Sequence, residues 1–153
     1  MPNYYLLIVN DVIGDPAFSV LCHRLKNKIW GMHKKSSCSN KIKISDQVIF
    51  YIAGRKINRQ CCVASAIIKD INNFKSNDLD KFTINTYDII SYPTISYTLS
   101  SINIFKNPIN LKLVMNKLEL FNKKNHNHWG IFLQGGGKEL SANDYNTIVS
   151  LSK

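Results

Sequence analysis

Residues 47–69 read QVIFYIAGRKINRQCCVASAIIK. Gln47–Ala53 is dense in β-branched and aromatic side chains, which favour a pleated strand. Gly54–Asn58 supplies turn chemistry, and Gln60–Lys69 returns as a second apolar run, so the stretch predicts a β-hairpin. A hairpin this apolar must sit inside a larger sheet.

Working outward, Tyr4–Val9 (YYLLIV) is a continuous apolar run, the pattern of a strand covered on both faces. Asn10-Asp11 ends it. Asp15 as N-cap and Pro16 at the first helical position predict a helix start. Phe18, Leu21, Cys22 and Leu25 follow at the spacing of one helix face. Lys28–Met32 reads as a short strand, and His33 opens a polar loop running to Ser45. Beyond the hairpin, the Asn- and Asp-rich residues 70–85 predict a loop. Tyr87–Leu99 predicts a strand with Pro93 at an edge or bulge. Pro108–Leu120 predicts a short helix, Trp129–Leu133 a last strand and Gly135–Gly137 a flexible connection. Ser141 to Asp144 has capping-box spacing and opens a helix through Tyr145, Ile148, Val149 and Leu151. The sum is one α+β domain over residues 1–153, with about six short strands and three helices.

The 153 residues suffice for one hydrophobic core, and 44% hydrophobic with 20% charged residues is a globular balance. No apolar run approaches the ~20 residues of a membrane helix. The opening residues lack a basic region and a small-residue cleavage site, so they read as a strand and not as a signal peptide. Four cysteines, Cys22, Cys38, Cys61 and Cys62, show no C-x-x-C spacing. Neighbours on a strand point to opposite faces and do not bridge. They read as reduced core residues of a cytoplasmic protein, and the spacing gives a zinc site at Cys22, His23, Cys61 and Cys62 no support.

The formal net charge is +10. Abundant Lys, Asn and Ile, as an AT-rich coding sequence gives, account for part of the lysine. They do not account for its distribution. Between Arg24 and Lys69 stand eleven Lys and Arg and a single acid, Asp46. Such a window expects a polyanion, with nucleic acid first. No nucleophile–base signature, phosphate-cradling glycine loop or carboxylate cluster is evident, so the chain reads as a binding domain with no cofactor and no metal. Aromatic rings stand beside the charge: Trp30, Trp129, Tyr92 and Tyr97. A nucleobase stacks on such rings for roughly 1–3 kcal/mol, while lysines hold phosphates.

Four segments resemble the EVE domains, PUA-like relatives of YTH domains, and specifically their compact single-domain archaeal and bacterial type: NYYLLIVND (3–11), KIWGMHKK (28–35), KISDQVIFYIAG (43–54) and HWGIFLQGGGKELSANDYNTI (128–148). The resemblance implies a mixed PUA-like β-barrel, or pseudobarrel, of five to six strands with flanking helices. It implies recognition of a modified base, such as N6-methyladenine or 5-methylcytosine, flipped into an aromatic pocket. Carried over by residue, it implies Trp30 as a wall, Asn10 at the base edge, Gly31, Met32 and His33 bordering the pocket, and Trp129 as a late tryptophan. Tyr97 and Tyr92 fall in the variable region that supplies another wall. Lys34, Lys35, Lys41, Arg55 and Lys56 are the expected phosphate contacts. A separate nuclease or effector protein is the expected partner, since the sequence shows neither motor nor cleavage domain. Three departures stand out: Tyr5 replaces the family's opening tryptophan, Ser45 its glycine before Asp46, and CCVASAII its G-x-x-E-V strand. Two alternatives accompany this reading. One is an RNA-processing or nuclease-type enzyme drawing on His33, Asp11 and Asp46. The other is a general RNA-binding module in which Trp30 is core.

Overall fold

The computed structural model describes residues 1–12, 14–54, 59–84, 93–122, 133 and 136–153. Six strands form one sheet: β1 (Tyr4–Val9), β2 (Ile29–Met32), β3 (Gln47–Ile52), β4 (Cys61–Asn73), β5 (Ile95–Asn110) and β6 (Gly137–Leu140), in the order β2-β5-β4-β3-β1-β6. β1 runs parallel to β3, and the other neighbours pair antiparallel. The sheet curls into a half-barrel flanked by four helices: α1 (Ala17–Lys26), α2 (Leu79–Phe82), α3 (Leu111–Val114) and α4 (Ala142–Leu151). This is the expected α+β, PUA-like pseudobarrel. No helix among the described residues is long and apolar enough to cross a membrane.

Strand alternation divides the interior into two cores. Tyr5, Leu7 and Val9 join Val48, Phe50, Ile52, Trp30, Tyr97 and the apolar residues of α1 on one face. Leu6, Ile8, Ile49 and Tyr51 join Phe105, Leu111, Phe121 and Ile148 on the other. The central pair β1–β3 is therefore buried on both faces, as its unbroken apolar sequence requires. The adjacent cysteines obey the same alternation, Cys61 packing on the first core and Cys62 buried in the second. All four cysteines are free, and Cys22 is exposed, not in the core.

Several expected boundaries move. Pro16, not Asp15, occupies the α1 N-cap position. The capping oxygen comes from Asp11, whose Oδ1 accepts the Ala17 N–H at 2.7 Å. The buried stripe of α1 is Ala17, Val20, Leu21, Arg24 and Leu25, which leaves Phe18 and Cys22 outside. The predicted loop at 70–85 is strand to Asn73, then a 3-10 turn (Ser76–Asp78) and α2. Strand β5 continues through Pro108 to Asn110, and only Leu111–Val114 of the predicted helix is α-helical, followed by 3-10 turns. Gly137 is not a connector but the first residue of β6. The predicted strand at 129–133 and the Gly54–Asn58 turn lie largely outside the described residues.

Ser141 caps α4 by accepting the Asp144 N–H at 3.0 Å. Asp144 does not complete the box. Its carboxylate instead accepts the N–H groups of Glu119 and Leu120, both at 2.8 Å, joining α4 to the preceding 3-10 turn.

Candidate nucleic-acid interface

Trp30 is the second residue of the edge strand β2, directly opposite Tyr97 on β5. The sequence placed its ring at the mouth of a loop. The structure places it inside, with only 3% of its surface exposed. Its ring lies 5.1 Å from that of Phe50 and 6.5 Å, edge-on, from that of Phe82 on α2. Gly31 makes room for this arrangement. A Cβ there would stand 2.9 Å from the Phe82 ring and 3.0 Å from Pro93.

The surroundings of Trp30 are short of acceptors. Its Nε1 is buried with no hydrogen-bond partner, alone in this respect among the described residues. Above the indole lies Arg24, its guanidinium carbon 4.9 Å from the Trp30 ring centroid and 3.6 Å from that of Phe82. Arg24 is 7% exposed, and its Nε donates to the Phe82 carbonyl at 2.8 Å. No carboxylate pairs with it among the described residues. Burial alone pushes its pKa down to about 9, so it stays charged at neutral pH. A buried cation held by one carbonyl and two π-faces sits beside an indole N–H with nothing to bond. Buried donors of this kind normally have partners.

The remaining expected pocket residues disperse around this cluster. Met32 is buried at the end of β2, and His33, half-buried, begins the loop and accepts the Lys35 N–H on Nδ1 at 3.1 Å. Asn10 is exposed beyond the end of β1. Tyr97 is fully buried, and its hydroxyl donates to the Ser39 carbonyl at 2.9 Å. That bond and the Tyr5 hydroxyl on the Lys41 carbonyl, 3.3 Å, pin the 33–46 loop to the sheet. Asp46 pins its far end, accepting the N–H groups of Asn3 at 2.9 Å and Lys43 at 2.8 Å. The loop that the sequence expected to be merely polar is therefore tied at several points.

Lys34 and Lys35 are exposed on that loop. Lys41 pairs at 3.7 Å with Glu139 on β6, both side chains largely exposed, an interaction worth little in water. Trp129, Tyr92, Arg55 and Lys56 lie outside the described residues. The acids invoked for an enzyme have other duties. Asp11 caps α1 and pairs with Arg59 at 2.8 Å, and Asp46 clasps the loop. Among the described residues no three His, Cys, Asp or Glu side chains gather as metal ligands.

Fold and site geometry together define a PUA-like pseudobarrel with an aromatic and cationic cluster at one sheet edge. No family model and no curated protein matches the sequence. Solved structures share the fold, and they are ASCH- and EVE-type PUA-like domains. The N-terminal domain of Staphylothermus marinus McrB is 14% identical, aligns over 98% of this chain and 94% of its own, and has a TM-score of 0.62. Human THYN1, solved in complex with DNA containing 5-methylcytosine, is 14% identical over 99% of this chain and 98% of its own, TM-score 0.62. ASCH from Zymomonas mobilis is 10% identical over 99% of this chain and 96% of its own, TM-score 0.63.

Proposed function

We propose that this chain binds nucleic acid and holds a modified base, extruded from its stack, against Trp30 and Arg24. The observation that carries the proposal is the buried Trp30 Nε1 beside Arg24, neither with a side-chain partner among the described residues. Together they offer donors to a ligand that brings acceptors and a flat π-face, and a nucleobase brings both. The DNA complex of THYN1, which shares the fold, supports the same ligand class.

Phe82 now occupies the face of Arg24 that a base would take. Behind it Phe74 stacks edge-on at 5.5 Å, beside a cavity of ≈ 320 Å³ lined by Phe74, Leu79 and Pro93, and entry of a base requires the Phe82 ring to move aside. Extruding a base costs a few kcal/mol, which stacking and edge hydrogen bonds recover. A methyl group adds at most about 0.8 kcal/mol by area, so preference for a modified base requires a fitted cavity as well. Gly31, Met32, His33, Asn10, Tyr97 and Trp129 border the site in this proposal. Lys34, Lys35 and Lys41, with Arg55 and Lys56, meet phosphate, and any cleavage is left to a separate effector protein.

The test is intrinsic fluorescence of a Trp129→Phe protein, in which Trp30 is the sole indole, titrated with methylated and unmethylated oligonucleotides. The expected result is quenching with tighter binding of one methylated strand, and anisotropy of the same strands carrying a fluorescein label should show that preference lost in Trp30→Phe. Equal, wholly salt-controlled binding that survives Trp30→Phe would refute the proposal in favour of a general RNA-binding module.

A further inference from the structure

The lysines singled out by the sequence are not the ones the fold gathers. A cavity of ≈ 440 Å³ opens on the side of β2–β5–β4 reached by Ile29 and Thr98, and Lys28, Lys75 and Lys81 line it. None of the three ammonium groups belongs to an ion pair among the described residues. Asn27, Asn72, Asn73 and Asn77 line the same cavity, with one acid, Asp78, whose Oδ2 accepts the Lys75 N–H at 2.9 Å. The Asn72 amide reaches Asp70 at 3.3 Å, while those of Asn73 and Asn77 have no hydrogen-bond partner among the described residues. A second cavity of ≈ 500 Å³, beneath Ser39 and Asn40, shares Asn72 and Asn73 as its border. The second cavity is otherwise lined by Ile42, Ile71 and Ile95, so the polar track is the first cavity, along the end of β4 and the start of β5.

Lys28 supplies an independent sign. It follows the α1 C-cap with φ of 56°, the left-handed conformation that glycine adopts at this position far more readily. Its N–H donates to the Leu25 carbonyl, and its own carbonyl accepts the Leu99 N–H at 2.9 Å, so the conformation is fixed. A strained backbone that keeps a lysine where glycine fits is a pattern found at functional positions.

We infer that this track is the seat of a single nucleic-acid strand, with Lys28, Lys75 and Lys81 on its phosphates and the asparagine amides on sugar and base edges. Lysines bind phosphate without reading sequence, and amides donate and accept as base edges require. The track ends at α2, where Lys81 lines the cavity and the next residue, Phe82, covers Trp30. A strand lying there delivers its next nucleotide to the Trp30 cluster. The inference rests on the nucleic-acid reading above and adds the route by which the strand reaches the site.

The experiment compares the whole chain with a Lys28→Gly, Lys75→Gln, Lys81→Gln variant and a charge-matched Lys106→Gln, Lys112→Gln, Lys117→Gln variant. Each is titrated by anisotropy with a fluorescein-labelled single strand of about twelve nucleotides, as DNA and as RNA, across a salt series. The track variant should lower the slope of log K against log salt by about 0.7 per lysine, about 2 in all. The charge-matched variant should keep a slope near that of the unaltered chain. The single Lys28→Gly variant should lower the slope while its melting temperature holds or rises, which separates lost contact from lost fold. Equal slopes for the two triple variants, or no change in the track variant, overturn the track while leaving nucleic-acid binding intact. Failure of the unaltered chain to bind either strand overturns both readings.

Discussion

Arg24 Nε donates to the main-chain carbonyl of Phe82 at 2.8 Å, while its guanidinium lies 3.6 Å from the centroid of the same residue's ring. One side chain thus holds both the backbone and the ring of α2 over Trp30. A buried cation with no carboxylate partner among the described residues is a poor choice for stability, since desolvating it costs several kcal/mol. Arg24→Met keeps the volume and removes the charge. Thermal denaturation should place it within about 1.5 kcal/mol of the parent, the usual cost of a volume-conserving swap, while base-dependent quenching disappears. A collapse of the fold would show Arg24 to be structural.

Trp30→Ala mixes two effects, because the ring is core. Truncating a buried aromatic costs roughly 3–5 kcal/mol, so lost binding would be unreadable. Trp30→Phe keeps most of the packing and deletes the unpartnered N–H. Denaturant titration should separate the two variants by at least about 2 kcal/mol, and similar midpoints would mean that the indole packs loosely.

Ser45 stands where the resembled family carries glycine, and its φ of 77° explains that preference. A left-handed non-glycine residue costs about 1–2 kcal/mol, against roughly 0.5–1 for the greater chain entropy of glycine. Ser45→Gly should therefore stabilise by up to about 1 kcal/mol, a rise of about 2–4 °C in Tm. A lower Tm would mean that the serine side chain contributes more than its backbone costs.

Tyr97 is fully buried, and burial pushes its hydroxyl up to about 12, so the folded state keeps a proton that the unfolded chain releases near 10. Between those values the native state binds more protons, and stability falls as pH rises from about 10 to 12. Tyr5 is raised to about 12 by burial and by Asp46 and Glu139, and it acts in the same direction. The slope per group is at most about 1.4 kcal/mol per pH unit. Urea midpoints measured over this range should fall, and Tyr97→Phe should flatten the decline. An unchanged slope would remove Tyr97 from the account.

Asp144, 1% exposed, satisfies two N–H groups of the 119–121 turn. Asp144→Ala removes the charged acceptor of two part-buried N–H groups, and a hydrogen bond to a charged group contributes roughly 1.5–3 kcal/mol. Chemical denaturation should show a loss of at least about 2 kcal/mol, against less than 1 for Asn143→Ala on the exposed side of the same turn of helix.

Where local pattern decides structure, the sequence was legible. YYLLIV and QVIFYI declare strands buried on both faces, and Ser141 declares a helix start. Arg24 was illegible because hydropathy expects a cation outside, and the rings that accept it lie six and fifty-eight residues away. Pro108 suggested a helix start but sits in a strand whose register shifts repeatedly against β4. The lysines of the track come from the end of α1, the start of the 3-10 turn and α2. Only the pairing of β2, β5 and β4 makes them neighbours. Sequence separation hid them, and the lysine-dense 24–69 window drew attention to the loop instead.

β1 lies between β3 and β6, so its last partner, Gly137–Leu140, is made some 130 residues after it. At roughly 5–20 residues per second the wait during synthesis is on the order of ten seconds. Throughout it, an uncharged, proline-free segment of strand-forming residues has an open edge, the composition that nucleates aggregation. The sheet therefore closes only once residues 137–140 have been made, and the chain's yield in a cell should depend on chaperone cover for residues 4–9 more than on native-state stability.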